Sequence, residues 1–317
     1  MISKIVNLMT FLFIFLLASA SIGLAKEPLN VVVTIPDFGW AAEKIGGEHV
    51  KVRSLLDGTE DPHFLDAVPK FISWVADADV VCFAGLDLEV GWLPKVLSKS
   101  GNAKVQQGGK GYCEMGKEIE VLERPTGPVD RSLGDLHPFG NPHFWLSPKR
   151  LAQGSGKIAA VLADLRPELA ETFMKNYEAL QQELDAIWKE NKDRLDQMIP
   201  DKNKPLFVQY HAEFTYFAAD YGLNLYGNIE EKPGVPPSAG RLAKVALDSR
   251  SHGIRFALAA TFDPRHLLKR FEELSGVPVL IVPAAIQTKG PITTYPQLQK
   301  YLVDQIESVL KSPAAGK

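Results

Sequence analysis

The sequence predicts an α/β protein built as two parallel-sheet α/β lobes joined by a long rigid helix. Three observations predict this. Short β-branched or apolar runs alternate with helical segments in the first half, which is the rhythm of strands returning through crossover helices to a parallel sheet. The same rhythm resumes in the second half. Between the halves, Pro167 and Pro200 bracket a segment in which Leu169, Phe173, Tyr177, Leu180, Leu184, Ile187, Leu195 and Met198 recur mostly at three- and four-residue steps. A helix of about thirty residues spans about 45 Å, long enough to stiffen the join between two lobes.

The expected organisation is a signal peptide over 1–25, a first lobe over 26–165, the connecting helix over 166–200 and a second lobe over 201–317. Lys4, the apolar run Leu8 to Ala18, and small residues at Ala18-Ser19-Ala20 and Gly23-Leu24-Ala25 give the three-part pattern of a secretory leader, cleaved after Ala20 or Ala25. The apolar run is short for a membrane span, and no other stretch has that character.

In the first lobe, Val31 to Ile35 reads as a buried strand ended by Pro36-Asp37, and Trp40 to Ile45 as a helix stopped by Gly46-Gly47. Val50 to Leu55 alternates as a second strand and leads into the loop Leu56 to His63. A helix over Pro69 to Ala76, a strand over Asp79 to Ala84, a helix over Gly91 to Ser98 and a weak strand over Ala103 to Gln106 follow. Residues 108–134, rich in Gly, Pro and charge, read as an irregular excursion. Pro148 opens the helical region.

In the second lobe the strands are Pro205 to Tyr210, Leu223 to Tyr226, Ile254 to Ala259 and Val277 to Val282. The helices are Phe214 to Tyr221 (stopped by Gly222), one capped by Ser238 and running to about Ser251, Pro264 to Leu274, and Tyr295 to Leu310.

The net charge of −3 and pI near 6.2 give no reason to expect nucleic acid or an anionic membrane surface as a partner. The two cysteines, Cys82 and Cys113, lie away from the leader's cleavage site, which argues for a soluble protein of the periplasm without a lipid-anchor cysteine. Cys82 sits in an apolar run and reads as a buried thiol rather than half of a disulfide.

The chemistry concentrates in histidines. Asn141-Pro142-His143-Phe144 repeats the form of Asp61-Pro62-His63-Phe64, with a proline stiffening the backbone before each imidazole. His211 ends a strand in the second half, and loops beyond strand carboxyl ends are where parallel sheets bind ligands. Neutral imidazole suits zinc and other late transition metals. His63, His143 and His211 together would bury an ion in the cleft between the lobes. His137 shares the 135–145 loop with His143; His49, His252 and His266 read as solvated surface residues.

These residues resemble the zinc- and manganese-type solute-binding proteins of bacterial ABC importers, the cluster A-I group. The likeness covers nearly the whole mature chain. It runs through Gly58-Thr59-Glu60-Asp61-Pro62-His63-Phe64, the strand ending Cys82-Phe83-Ala84-Gly85, Asn141-Pro142-His143-Phe144-Trp145-Leu146-Ser147-Pro148, and Tyr210-His211-Ala212-Glu213-Phe214. The resemblance implies ligand roles for His63, His143 and His211 and delivery of the ion to a membrane permease by a monomer. In members with a fourth protein ligand this is often an Asp past the final strand, but Leu280 to Ile286 holds no carboxylate. Asp263 is expected to cap the helix after it. The fourth position stays open, with Glu60 ranked first, then water, then Asp61 or His137. Three nitrogen donors favour Zn(II) over Mn(II), which prefers oxygen.

Two other readings stand beside capture and delivery. One keeps the fold and makes the protein a metal chaperone, or a binder of Mn(II) or another ligand. The other is a secreted zinc hydrolase, since three His and water is also a catalytic zinc pattern. No His-Glu-x-x-His or Gly-x-Ser-x-Gly run supports an enzyme.

Overall fold

The structure, a computed structural model, describes residues 26–127, 134, 136–199, 201, 204 and 206–311. The expected leader, Asp135 and Pro200 lie outside them. Among the described residues, no helix is long and apolar enough to cross a membrane.

Two four-stranded sheets form. β1 (Leu29–Val33), β2 (Val50–Ser54), β3 (Val80–Phe83) and β4 (Tyr112–Glu114) run in the order β2-β1-β3-β4. β5 (Phe207–Gln209), β6 (Leu225–Asn228), β7 (Phe256–Ala260) and β8 (Val279–Val282) run in the matching order β6-β5-β7-β8. Every pairing between these strands is parallel. The helices are α1 (Pro36–Gly46), α2 (Pro69–Ala76), α3 (Leu93–Ser100), α4 (Pro148–Leu165), α5 (Ala170–Met198), α6 (Thr215–Tyr221), α7 (Ala239–Ser251), α8 (Arg265–Ser275) and α9 (Tyr295–Lys311).

Local chemistry sets the helix ends. α1 to α4 each carry Pro in the first turn, where the missing N–H costs nothing and the fixed φ already suits a helix. The hydroxyls of Ser147 and Ser238 accept the amides of Arg150 and Arg241 and so cap α4 and α7.

α5 spans about 43 Å at 1.5 Å per residue. It buries Phe173, Leu180, Leu184 and Leu195 along one face, packed on α1 and α4 from the first half and on α9 from the second. One continuous core joins the two sheets. It takes Val31 and Val33 of β1, Phe144 and Trp145, Leu180 and Leu184 of α5, and Leu258 and Ala260 of β7. Separate cores lie on the far face of each sheet, one under α2 and α3, the other under α7 and α8.

A second join lies beyond β8. The Ile286 amide donates to Asp37 Oδ2 at 3.0 Å, Trp145 Nε1 donates to the Ala284 carbonyl at 2.7 Å, and the Thr288 amide donates to the Asp57 carbonyl at 2.9 Å. Gly58 has φ +91, and a Cβ there would stand 1.9 Å from the Ile286 carbonyl oxygen, so the close approach of the two loops requires glycine.

Four readings of the sequence are corrected. Ala103 to Gln106 is not a strand; Ala103–Val105 is a 3-10 turn, and the fourth strand, β4, lies inside the expected irregular stretch. Helix α1 starts at Pro36 rather than near Trp40, because Pro fits the first helical turn as well as it ends a strand. Cys82 and Cys113 form a disulfide, because β3 and β4 pair in the register that sets them opposite each other with Cα atoms 4.4 Å apart. Asp263 does not cap α8; its Oδ2 accepts the Ala260 amide, closing the turn that leaves β7.

Candidate metal centre

The centre forms at the carboxyl ends of the strands. His63 stands on the loop after β2, and His211 follows β5 by two residues. His143 lies just before the 3-10 turn Phe144–Leu146 that leads into α4. One ring nitrogen from each of the three lies within 4.8 Å of the others. Their ring centroids stand 5.1 to 5.2 Å apart, nearly an equilateral triangle.

The Asx-Pro-His repeat explains the orientation of two rings. Asp61 Oδ1 accepts both the amide of His63, at 2.9 Å, and its Nδ1, at 2.7 Å. Asn141 Oδ1 accepts the amide of His143 at 2.8 Å and its Nδ1 at 3.0 Å. The side chain before each proline therefore fixes the backbone and the imidazole two residues on. The Asn141 amide group donates to Glu123 Oε2 and to the Ala212 carbonyl, which holds its oxygen toward His143. His211 is held by a single partner, with Nδ1 donating to Glu230 Oε2 at 2.8 Å.

Each Nδ1 is thus engaged, which leaves the Nε2 atoms to meet at the centre, that of His63 being in contact with Nε2 of His137. The Nε2 atoms of His143 and His211 are buried and have no hydrogen-bond partner. Burying a polar nitrogen without a partner costs about 1 to 3 kcal/mol. Two such atoms turned toward one point are what a bound cation satisfies.

The electrostatics are graded. Burial, with His63, His211 and His137 nearby, pushes the His143 imidazole well below its usual range, so it stays neutral. Burial also opposes charge on His211, but the bond to Glu230 and the charges of Glu213, Glu230 and Asp263 outweigh it and raise that ring to about 9. Burial, then the neighbouring Asp263, lifts Glu213 well above the carboxylate range; burial lifts Asp263 to about 7 despite the amide it accepts. Burial pushes Asp61 up too, but the bonds from His63 hold it below its ordinary value.

The other sequence candidates fall differently. Glu60 is not in the histidine group: its Oε2 accepts the Asp57 amide at 2.9 Å, beside Pro36, Trp145 and Ala284. Asp61 stands behind His63 rather than facing the centre. His137 Nε2 lies 3.2 Å from His63 Nε2. Burial, with His63 and His211, pushes the His137 ring down to about 3, opposed by a bond to the backbone of Asp87. A bond that favours the charged ring is one the ring donates, so the Asp87 carbonyl accepts it. His137, His143 and His211 line one cavity of about 40 Å³ together with Asn141 and Glu123.

Sequence reasoning missed Glu230 and misplaced Asp263. Both follow second-sheet strands at their carboxyl ends, as His211 does; that shared position was the available signal.

Residues 31–309 match the family described as ZnuA, zinc-uptake complex component A, periplasmic. The zinc-binding lipoprotein AdcA of Streptococcus pneumoniae is 30% identical over 235 residues, which cover 73% of this chain and 45% of AdcA. This chain thus spans about half the length of that relative. The manganese-binding lipoprotein MntA of Bacillus subtilis is 31% identical over 64% of this chain and 61% of its own. The iron ABC transporter substrate-binding lipoprotein MtsA of Streptococcus pyogenes is 26% identical over 95% and 96%. Among solved structures, ZnuA superposes with a TM-score of 0.73 at 23% identity, covering 92% of this chain and 100% of that one. The periplasmic zinc-binding protein TroA from Treponema pallidum gives 0.72 at 20%, covering 90% and 100%. These two likenesses show the two-lobed fold.

The relatives overturn one expectation. The sequence reads as a soluble periplasmic protein without a lipid-anchor cysteine, whereas AdcA, MntA and MtsA are all named lipoproteins. The expectation of no lipid anchor rests on where Cys82 and Cys113 stand, and it does not hold against these relatives.

Proposed function

This chain belongs to the family of zinc-uptake complex component A, and from that premise we propose that it captures Zn(II) through His63, His143 and His211 and delivers it to the membrane permease of an ABC importer. The observation that carries the reading is the pair of buried, partnerless Nε2 atoms on His143 and His211 beside the ring of His63. Their Nδ1 atoms are held by oxygen acceptors, an arrangement that fixes ligand tautomers and raises ligand basicity. Glu60 is left out of this ligand set because its carboxylate is turned to the Asp57 amide.

Nitrogen donors support zinc over manganese or iron(II), both lower in the Irving–Williams order and better served by oxygen. MntA and MtsA, named for manganese and iron, define the competing reading. The task proposed is ligation and release, with no covalent step. The ion would reach the site from solvent and leave when docking withdraws a loop-borne ligand.

The test is metal content of the purified protein, followed by titration calorimetry on apo-protein. Zinc is expected, and His143→Ala is expected to weaken its binding by more than about 100-fold with an unchanged circular dichroism spectrum. Unaltered affinity would remove His143 from the site. Purification with manganese or iron, held more tightly than zinc, would favour the competing reading.

A further inference from the structure

The unexplained contact at this centre is between His63 and His137. Their Nε2 atoms stand 3.2 Å apart, and the rings are stacked with centroids 5.3 Å apart and 25° between planes. Elsewhere His63 Nδ1 meets Asp61 Oδ1 at 2.7 Å, and the His137 ring bonds to the backbone of Asp87. Two Nε2 atoms at this distance share one positive occupant, either a proton as an N–H···N bond or a metal ion in its place.

The spacing fits a metal. Two nitrogens on a tetrahedral zinc, each about 2.05 Å from the ion, stand about 3.3 Å apart. The placement fits as well, because His137 touches His63 on one side and lines one cavity with His143 and His211 on the other. The backbone is set to hold the ring. Leu86 and Asp87 both have positive φ, at 52° and 75°, a costly conformation for residues other than glycine, and it presents the Asp87 carbonyl to His137. The next loop outward is fixed by the Gly140 amide donating to the His137 carbonyl.

Resting on the zinc-capture reading above, we infer that His137 is the fourth ligand, completing a cage of four imidazoles. The ring stands at the rim of the group: its centroid lies 6.1 Å from that of His143, against 5.1 Å for His63 to His143. Binding the ion draws it inward. A set of four neutral nitrogens is also a specificity device. It offers no carboxylate oxygen to manganese or iron(II), and it leaves no water on the ion to act as a nucleophile.

The experiment uses the full chain with Zn(II) alone. X-ray absorption on the zinc-loaded protein counts imidazoles, and calorimetry reads affinity. The wild type is expected to show four imidazoles. His137→Ala is expected to show three plus a light oxygen scatterer, with about 100-fold weaker zinc binding and a smaller preference for zinc over manganese. A zinc-loaded wild type with three imidazoles overturns the fourth ligand and leaves the three-histidine reading standing. His137→Ala with unchanged count and affinity does the same. A wild type that holds no zinc, with His143→Ala indistinguishable from it, overturns the capture reading and this inference with it. Thermal melting of the apo-proteins separates a ligand role from a structural one, since a ligand-only role leaves the melting temperature of apo His137→Ala at the wild-type value.

Discussion

At the scale of single residues, Asp37 shows how this molecule treats charge away from its centre. It is fully buried; Oδ2 accepts the Ile286 amide and Oδ1 has no partner. Burial pushes its carboxyl from 3.8 to about 7. The folded chain therefore holds a proton that the unfolded chain releases. The associated stability is complete below about pH 4 and is lost as pH rises through about 7. Urea melts of wild type and Asp37→Asn from about pH 5 to about pH 8 should diverge, the wild type losing about 3 kcal/mol more across that range. Parallel slopes would mean Asp37 is charged in the fold. Glu89, also buried and raised to about 7, keeps part of the slope in both proteins. His63 and His143 stand out in the sequence because their motif is local and repeated. The sequence alone ranks Glu60 ahead of water, Asp61 and His137 as the fourth ligand. That choice depends on where the Asp57 amide and the Asp87 carbonyl lie, and those positions are set by long-range packing.

At the scale of elements, the helices were the most legible, because caps and prolines act within one turn. Ser147, Ser238 and the prolines of α2 and α4 mark boundaries that the structure keeps. β4 was hidden for the opposite reason. Three residues are too few for a period, and Tyr112 to Glu114 is a strand only because β3 lies beside it. The disulfide was hidden with it, since the Cys82–Cys113 pairing follows from that register. It closes a loop across a sequence separation of 31. Replacing both cysteines by alanine should lower stability by about 3 to 4 kcal/mol, read as a lower denaturant midpoint with little change in zinc affinity. Equal midpoints would mean that the sheet edge holds without the bond.

At the scale of the whole molecule, ligand binding should register as stability. A ligand bound only by the folded state adds about 2.7 kcal/mol at about 100 times its dissociation constant. For a chain of this length that raises the melting temperature by about 4 °C. Zinc titrated into apo-protein should produce that rise, and His143→Ala should abolish it. A melting temperature indifferent to zinc would remove capture as the function. The shared core has one more consequence. Val33, Leu184 and Leu258 belong to one packed interior, so the two sheets cannot swing apart without repacking it. A jaw that opens and shuts advertises its cargo in its silhouette. A shared interior predicts almost the same outline with and without a bound ion. Whatever discriminates the two states has to read local texture at the rim, and there the exposed rings of Phe64 and Phe139 stand one residue after His63 and two after His137. The news of a captured ion is written in the setting of a few side chains rather than in the shape of the whole.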